Sequence, residues 1–296
     1  MLARIVEETK SFNPLKKNKI KYFFDHKNFY LKPRNSRNYS NKFSMIESEN
    51  FIIKLVQTKS ELKQAQSLRY TVFYKEKKAK PTLPKKLIRL DYDKIDKFAD
   101  HLIVIDKSKK NKIVGTYRLI RGDVAEFFGG FYSSSEFNLE KIVNNYENKH
   151  ILELGRSCVH KNYRNGSIMN LLWKAIAEYV KLYDIKVLIG CASFSGTDPI
   201  KYSEELSYLR ENFSLPENFS VESHDNNIYP VYKLNDKNLN QLRTFAKLPP
   251  LIKGYLRVGG KVSDNIFVDH NFNTIDLFVV VSTNDIDERY KKKYLN

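Results

Sequence analysis

The richest run of reactive side chains in the sequence is Glu153-Leu154-Gly155-Arg156-Ser157-Cys158-Val159. A carboxylate can take a proton, a guanidinium can grip an anion in two places, and a hydroxyl or thiol can donate or attack. Side chains alternate faces along a strand, so a spacing of three sends Glu153 and Arg156 to opposite sides. A β-bulge at Gly155 would turn both charges into one cleft. It would also free a backbone N–H, from Ser157 or Cys158, of the kind that stabilises an oxyanion. A plain surface ion pair fits the same spacing equally well.

Just downstream, Asn162-Tyr163-Arg164-Asn165-Gly166-Ser167 leads into a helix. Free amides at a helix N-terminus attract anions, and Arg164 adds charge, although an ordinary capped helix start reads the same way. A thiol nucleophile at Cys158 lacks a partner: His160 is two residues on and shares its face only if the strand stays regular. Cys158 and Cys191 both lie in apolar surroundings that favour buried, reduced thiols, and their spacing suits no zinc site. His270, beside Asp269, reads as a turn residue.

The elements that must position these groups can be read from periodicity. Phe51 to Gln57 alternates like a strand, and Thr58 with Glu61 forms a capping box. That box opens a helix whose inner face carries Leu62, Ala65, Leu68, Val72 and Phe73. Leu102–Asp106 and Lys112–Arg121 read as an antiparallel pair across a polar turn. His150–Val159 and Ile185–Ala192 are two apolar strands. Between them Ile168, Leu171, Leu172, Ala175, Ile176, Tyr179, Val180 and Tyr183 recur at helical spacing. Strand, helix, apolar strand predicts one parallel crossover in an otherwise antiparallel sheet. Further strands are expected at Tyr229–Leu234 and Ile275–Ser282, around a glycine-rich segment from Gly254 to Gly260.

The chain has 296 residues and a formal net charge of +17, which points to an acidic or anionic partner or to a merely solubilising excess of lysine. No secretory signal and no apolar run of about 18 residues is visible. Residues 1–50 interleave lysines and arginines with aromatic rings, a composition that suits an anionic lipid surface, a nucleic-acid arm or a solvated leader. Residues 51–283 read as the folded domain, elaborated from about residue 216, and residues 284–296 as a charged tail.

The strand, basic turn and long helix resemble the acyl-donor motif of the GNAT superfamily, Arg-x-x-Gly-x-Gly/Ala. The match begins at Arg164, with Ser167 and Met169 at the small-residue positions. Arg69, Phe73, Asp93, Asp96, Arg118, Glu153 and Arg156 resemble the charged and aromatic framework of acyl-homoserine lactone synthases. The tryptophan of that family is missing, and Lys78-Ala79-Lys80 stands there instead. GCASFSGTDP (190–199) and PPLIKGYLRVGGKVSDNIFVDHNFNTIDLFVVV (249–281) are similar to the ornithine N-acyltransferase family. The resemblance covers about residues 52–283.

The fold it implies is α+β, an α-β-α sandwich with a GNAT-like, mostly antiparallel sheet. The reaction it implies joins a 3-hydroxyacyl chain from acyl carrier protein to the α-amine of L-ornithine, with no metal and no cofactor beyond the donor's phosphopantetheine arm. Glu153 would then be the base, directly or through one water. Arg156 would hold that carboxylate or bind the amino acid's own, and Ser157 or Cys158 would supply the oxyanion N–H. Asp93 and Asp96 are expected to meet the ornithine side-chain ammonium, unless they cap a turn. Arg69 and Arg118 would shape the pocket or bind phosphate, and Phe73 is expected in the core. Arg164, Asn165, Gly166 and Ser167 would hold the donor phosphate. A cytoplasmic protein with peripheral contact to the inner membrane face follows. The alternatives are a lactone synthase using S-adenosylmethionine, or the same transfer onto another amino acid. A nucleic-acid binder has no supporting signature.

Overall fold

The computed structural model describes residues 43–224, 240–286 and 290. Most of the basic N-terminal zone, the strand expected at Tyr229–Leu234 and most of the tail lie outside these residues.

The sheet opens with β1 (Ile46–Glu47) and β2 (Phe51–Leu55), so it begins a few residues before the predicted boundary at residue 51. Helix α1 (Lys59–Tyr70) starts at the expected capping box: Thr58 accepts from the Glu61 amide while Glu61 accepts from the Thr58 amide. One π-helical turn, Thr71–Glu76, extends it. Then follow β3 (Asp100–Asp106), β4 (Lys112–Arg121), β5 (Phe137–Asn138), β6 (Ile151–Val159), α2 (Ser167–Leu182) and β7 (Val187–Ser195). The chain continues through α3 (Ser203–Phe213), β8 (Glu222–Ser223), α4 (Pro250–Arg257), β9 (Lys261–Asp269) and β10 (Thr274–Ser282). Strand β9 had no counterpart among the expected strands. Its alternation is interrupted by Ser263-Asp264-Asn265.

Eight strands form one sheet in the order β1-β2-β3-β4-β6-β7-β10-β9, and β5 pairs with β8 in a separate ribbon. Every neighbour in the large sheet is antiparallel except β6 and β7, which the α2 crossover makes parallel. Helix α2 lays Ile168, Leu172, Ala175, Ile176 and Tyr179 onto Leu102, Val104 and Val114. Helix α1 covers the opposite face with Leu62, Ala65 and Leu68 against Ile103, Ile105 and Ile113. Each large side chain buried this way contributes roughly 1.5–3 kcal/mol. The result is the expected α-β-α sandwich around a mixed, mostly antiparallel sheet.

Two irregularities in this sheet make room for a site. Between β4 and β6 the register runs Thr116↔Cys158 and then Arg118↔Gly155, so β6 spends one extra residue. This is the predicted bulge, but its left-handed residue is Arg156, at φ 51°, rather than Gly155. The parallel pairing of β6 with β7 lasts only from Ile151↔Val187 to Glu153↔Ile189. Beyond it the strands part, with Gly190 at the fork. A Cβ there would fall 2.3 Å from the Leu154 carbonyl oxygen. No helix among the described residues is long and apolar enough to cross a membrane.

Candidate active site

A cavity of about 240 Å³ occupies the gap between the parting strands. Both Glu153 and Arg156 line it, so the bulge does bring the two charges to one cleft. Ser157, Tyr117 and Arg118 share the same wall, with Cys191 and Ser193 of β7 opposite.

Glu153 is buried and fastened to the turn that begins at Tyr132. Its Oε2 accepts from the Tyr132 amide at 2.7 Å, and its Oε1 accepts from the Ser133 amide at 2.7 Å and from the Ser133 hydroxyl. A carboxylate offers about four acceptor directions, so one on Oε2 stays open. Burial pushes this carboxyl above its ordinary range, with the Ser133 and Tyr132 hydrogen bonds pulling the other way.

Arg156 is clamped rather than free. Its Nε lies 3.3 Å from Asp91 Oδ2, a contact too poorly aligned for a hydrogen bond, and its Nη2 lies 3.5 Å from Asp93 Oδ2. The guanidinium carbon sits 4.4 Å from the centre of the Tyr132 ring and 4.6 Å from that of Phe272. Left-handed backbone costs about 1–3 kcal/mol in a side-chain-bearing residue, and these contacts over-determine it.

The expected ornithine acids are not available to a ligand cation. Asp96 is buried and receives Arg69 Nη2 at 2.8 Å, Arg118 Nη1 at 2.9 Å and Gln66 Nε2 at 2.9 Å. Asp93 receives Arg118 Nη1 at 2.6 Å and caps the following turn by accepting from the Ile95 amide. Asp91, which the sequence reading passed over, takes Arg69 Nε at 2.8 Å and the Tyr74 hydroxyl at 2.9 Å. Three arginines thus face three aspartates in a neutral, interlocked network. Burial opposes ionisation of Asp91, but Arg69 and Arg156 outweigh it and hold the carboxyl well below the usual range. Burial opposes ionisation of Asp96 as well, and there Arg69 and Arg118 outweigh it and hold the carboxyl well below the usual range.

Arg69 is fully buried and does not line the cavity, so it braces the site instead of touching a ligand. Arg118 does line it. Phe73, expected in the core, is instead part of the cavity wall, edge-on to Phe272 at 5.9 Å between ring centres. The thiol of Cys158 faces α1 within the apolar cluster of Leu62 and Ile103, and burial pushes it up to about 12. This is the buried, reduced thiol that its apolar surroundings predicted, and it lies outside the cavity lining. Ser157 borders the cavity and Tyr117, whose hydroxyl lies 2.7 Å from that of Tyr255.

Arg164, Asn165, Gly166 and Ser167 lie at the head of α2, outside the cavity lining. Arg164 donates to the Val159 carbonyl at 2.9 Å and pairs with Glu76 at 2.5 Å, while Asn165 Oδ1 accepts from the Ser167 hydroxyl at 2.7 Å. His270 is exposed in the β9–β10 turn, as expected. Besides Glu153, the acids that line the cavity unpaired with arginine are Glu136, Asp269 and Asp276, which can each offer one oxygen within 4.8 Å of the others. Such a trio has the donor chemistry to hold a cation. The sequence did carry one signal for Asp276: a carboxylate between Ile275 and Leu277 in an otherwise apolar strand.

The model of the acetyltransferase (GNAT) domain matches residues 68–174. A protein of Rhizobium meliloti (strain 1021) named "L-ornithine N(alpha)-acyltransferase" is 36% identical over 249 residues, covering 83% of this chain and 84% of its own. One of the same name from Agrobacterium fabrum is 38% identical over 256 residues, covering 81% and 84%. Among solved structures, "FeeM, an N-acyl amino acid synthase from uncultured soil microbes", aligns at a TM-score of 0.47 with 8% identity, over 82% of this chain and 93% of that one. The acyl-homoserine lactone synthase MesI aligns at 0.46 with 13% identity, over 82% and 95%. With two curated relatives above one-third identity along more than four-fifths of its length, the chain belongs to the L-ornithine N(alpha)-acyltransferase family.

Proposed function

We propose that this enzyme moves a 3-hydroxyacyl chain from acyl carrier protein to the α-amine of L-ornithine, giving the lyso form of ornithine lipid. The observation that carries this reading is the cavity in the strand fork. A base, two arginines and several hydroxyl donors converge on a gap where a thioester on a slender arm can lie between strands. The amino acid enters with its carboxylate toward Arg118 and Arg156, the charge-assisted pairing such anions favour. Glu153 takes one proton from the α-ammonium through its open Oε2 direction, directly or through one water. The freed nitrogen lone pair attacks the thioester carbon and the N–C bond forms. The oxyanion rests against the backbone N–H of Ser157 at the bulge. Collapse breaks the C–S bond, and the departing sulfur takes up the second nitrogen proton, relayed by way of Tyr117. Burial pushes the Tyr117 phenol up to about 12, so it stays protonated to serve as a donor.

On this reading the donor's phosphate meets Arg164 and the head of α2, and the protein itself needs no cofactor. Purified enzyme with 3-hydroxyacyl carrier protein and ornithine is expected to yield N-acyl-ornithine by mass spectrometry. Glu153→Gln is expected to lower kcat about 100- to 10,000-fold while the protein remains folded. An unchanged kcat in folded Glu153→Gln would remove Glu153 from the mechanism, and absence of acyl-ornithine from the wild type would remove the reaction.

A further inference from the structure

The cavity has a second pole, which proton removal and acyl transfer do not use. Glu136, Asp269 and Asp276 converge there from three separate elements: the turn before β5, the end of β9, and β10. Asp276 lines the cavity and is 5% exposed, and its Oδ1 is buried without a hydrogen-bond partner. Its Oδ2 accepts from the Thr274 hydroxyl at 3.2 Å. Asp269 uses one oxygen, Oδ1, to accept from the Asn271 and Phe272 amides at 2.7 and 2.9 Å. Glu136 is 6% exposed, and its Oε2 accepts only a thiol, Cys191 Sγ, at 3.2 Å.

A buried carboxylate oxygen without a partner, such as Asp276 Oδ1, is costly, and two further carboxyls beside it raise that cost unless a cation or protons offset them. No lysine or arginine of the described residues pairs with Glu136, Asp269 or Asp276, in contrast to the neutral arginine–aspartate network across the cavity. In the empty site protons can relieve that cost, and a cationic group of a ligand would take their place. At the opposite pole Arg118 and Arg156, although charge-balanced by the aspartates, each keep a buried Nε without a hydrogen-bond partner and can still donate to a carboxylate. The cavity is thus polarised to take a molecule with a carboxylate at one end and a cation at the other.

We infer that Glu136, Asp269 and Asp276 form the specificity pocket for the side-chain ammonium of the amino-acid acceptor, with Asp276 Oδ1 as its principal acceptor. This rests on the proposed transfer to an amino acid and replaces Asp93 and Asp96 in that role. An ammonium there donates three hydrogen bonds, one for each carboxylate.

Norvaline has the carbon skeleton of ornithine without the terminal amine, so the ratio of kcat/KM for ornithine over norvaline reads this pocket alone. In wild type the ratio should strongly favour ornithine. In Asp276→Asn and, separately, Glu136→Gln, each checked for folding by thermal melting, it should fall about 10- to 100-fold, mainly through the KM for ornithine. An unchanged ratio in both folded variants overturns the assignment while leaving the acyl transfer itself standing. Failure of the wild type to acylate ornithine strikes at the proposed reaction instead. Calorimetric titration of the wild type with Mg²⁺, Ca²⁺, Mn²⁺ and Zn²⁺ is the remaining arm. Stoichiometric binding that is abolished in Asp276→Asn would make the trio a metal site and overturn the ammonium assignment, and no such binding supports it.

Discussion

At the scale of single residues, this cavity separates two kinds of carboxylate by their neighbours. Asp91, Asp93 and Asp96 have arginine partners and are held ionised, whereas Glu136 and Asp276 have none. Burial, then the adjacent Asp276, pushes Glu136 up to about 8. Burial, and after it Asp269, pushes Asp276 up to about 6, against the hydrogen bonds of Ser193 and Thr274 and the weaker pull of Arg156. A carboxyl whose pKa is raised by folding keeps its proton longer in the native state than in the unfolded chain. Native stability is therefore lost as pH rises through the native value. In the window from about pH 7.5 to 8.5, His101 and His160, both pushed down by burial, are neutral in the native state and nearly so in the unfolded chain, and add little slope. The empty enzyme should accordingly lose thermal stability across that window. Glu136→Gln should flatten the loss, as should saturating ornithine. Parallel melting curves of wild type and variant at half-unit pH steps would check this, and identical slopes would disprove it.

At the scale of elements, the fork between β6 and β7 depends on one close approach. Alanine at Gly190 would put a methyl 2.3 Å from the Leu154 carbonyl oxygen, so the strands must shift apart where the cavity begins. The expected outcome for Gly190→Ala is a loss of about 1–3 kcal/mol in urea denaturation together with strongly reduced acyl transfer. Gly155→Ala is the contrast: its added carbon would have its nearest neighbour, Arg118 Nε, 4.0 Å away. That variant should melt close to wild type. Equal stability of the two alanine variants would show that the close approach is relieved at little cost. The bulge beside it makes the same point about position. Glycine at 155 marked it in the sequence, but the strained residue is Arg156, which pairs of rings and aspartates can hold and which glycine could not replace in function.

At the scale of the whole molecule, an excess of 17 positive charges gives a field able to steer an acidic donor protein. Raising salt from about 0.05 to 0.3 M should raise KM for the acyl carrier protein several-fold with little change in kcat, since screening acts on encounter. A short, uncharged thioester donor should show no such dependence. Salt-independent kinetics with the carrier protein would assign the charge to solubility or to another partner. Cosedimentation with anionic vesicles would read the membrane contact expected of the basic N-terminal zone, most of which lies outside the described residues.

Fold class was legible in the sequence because its signals are local. The Thr58–Glu61 capping box, the helical spacing from Ile168 and the apolar strands on either side each depend on residues a few positions apart. They duly appear as α1, α2, β6 and β7. The bulge was legible too, since Glu153 and Arg156 at a spacing of three needed one to meet. What the sequence could not assign was the partner of each charge. Asp93 and Asp96 looked open until the fold set Arg69, Arg118 and Arg156 against them. Asp276 lies 140 residues from Glu136 in the chain, yet shares one buried corner with it. Local pattern dictates secondary structure because backbone hydrogen bonding is short-ranged. Which carboxylate is satisfied and which awaits a ligand is an outcome of long-range packing, and only the tertiary structure decided it.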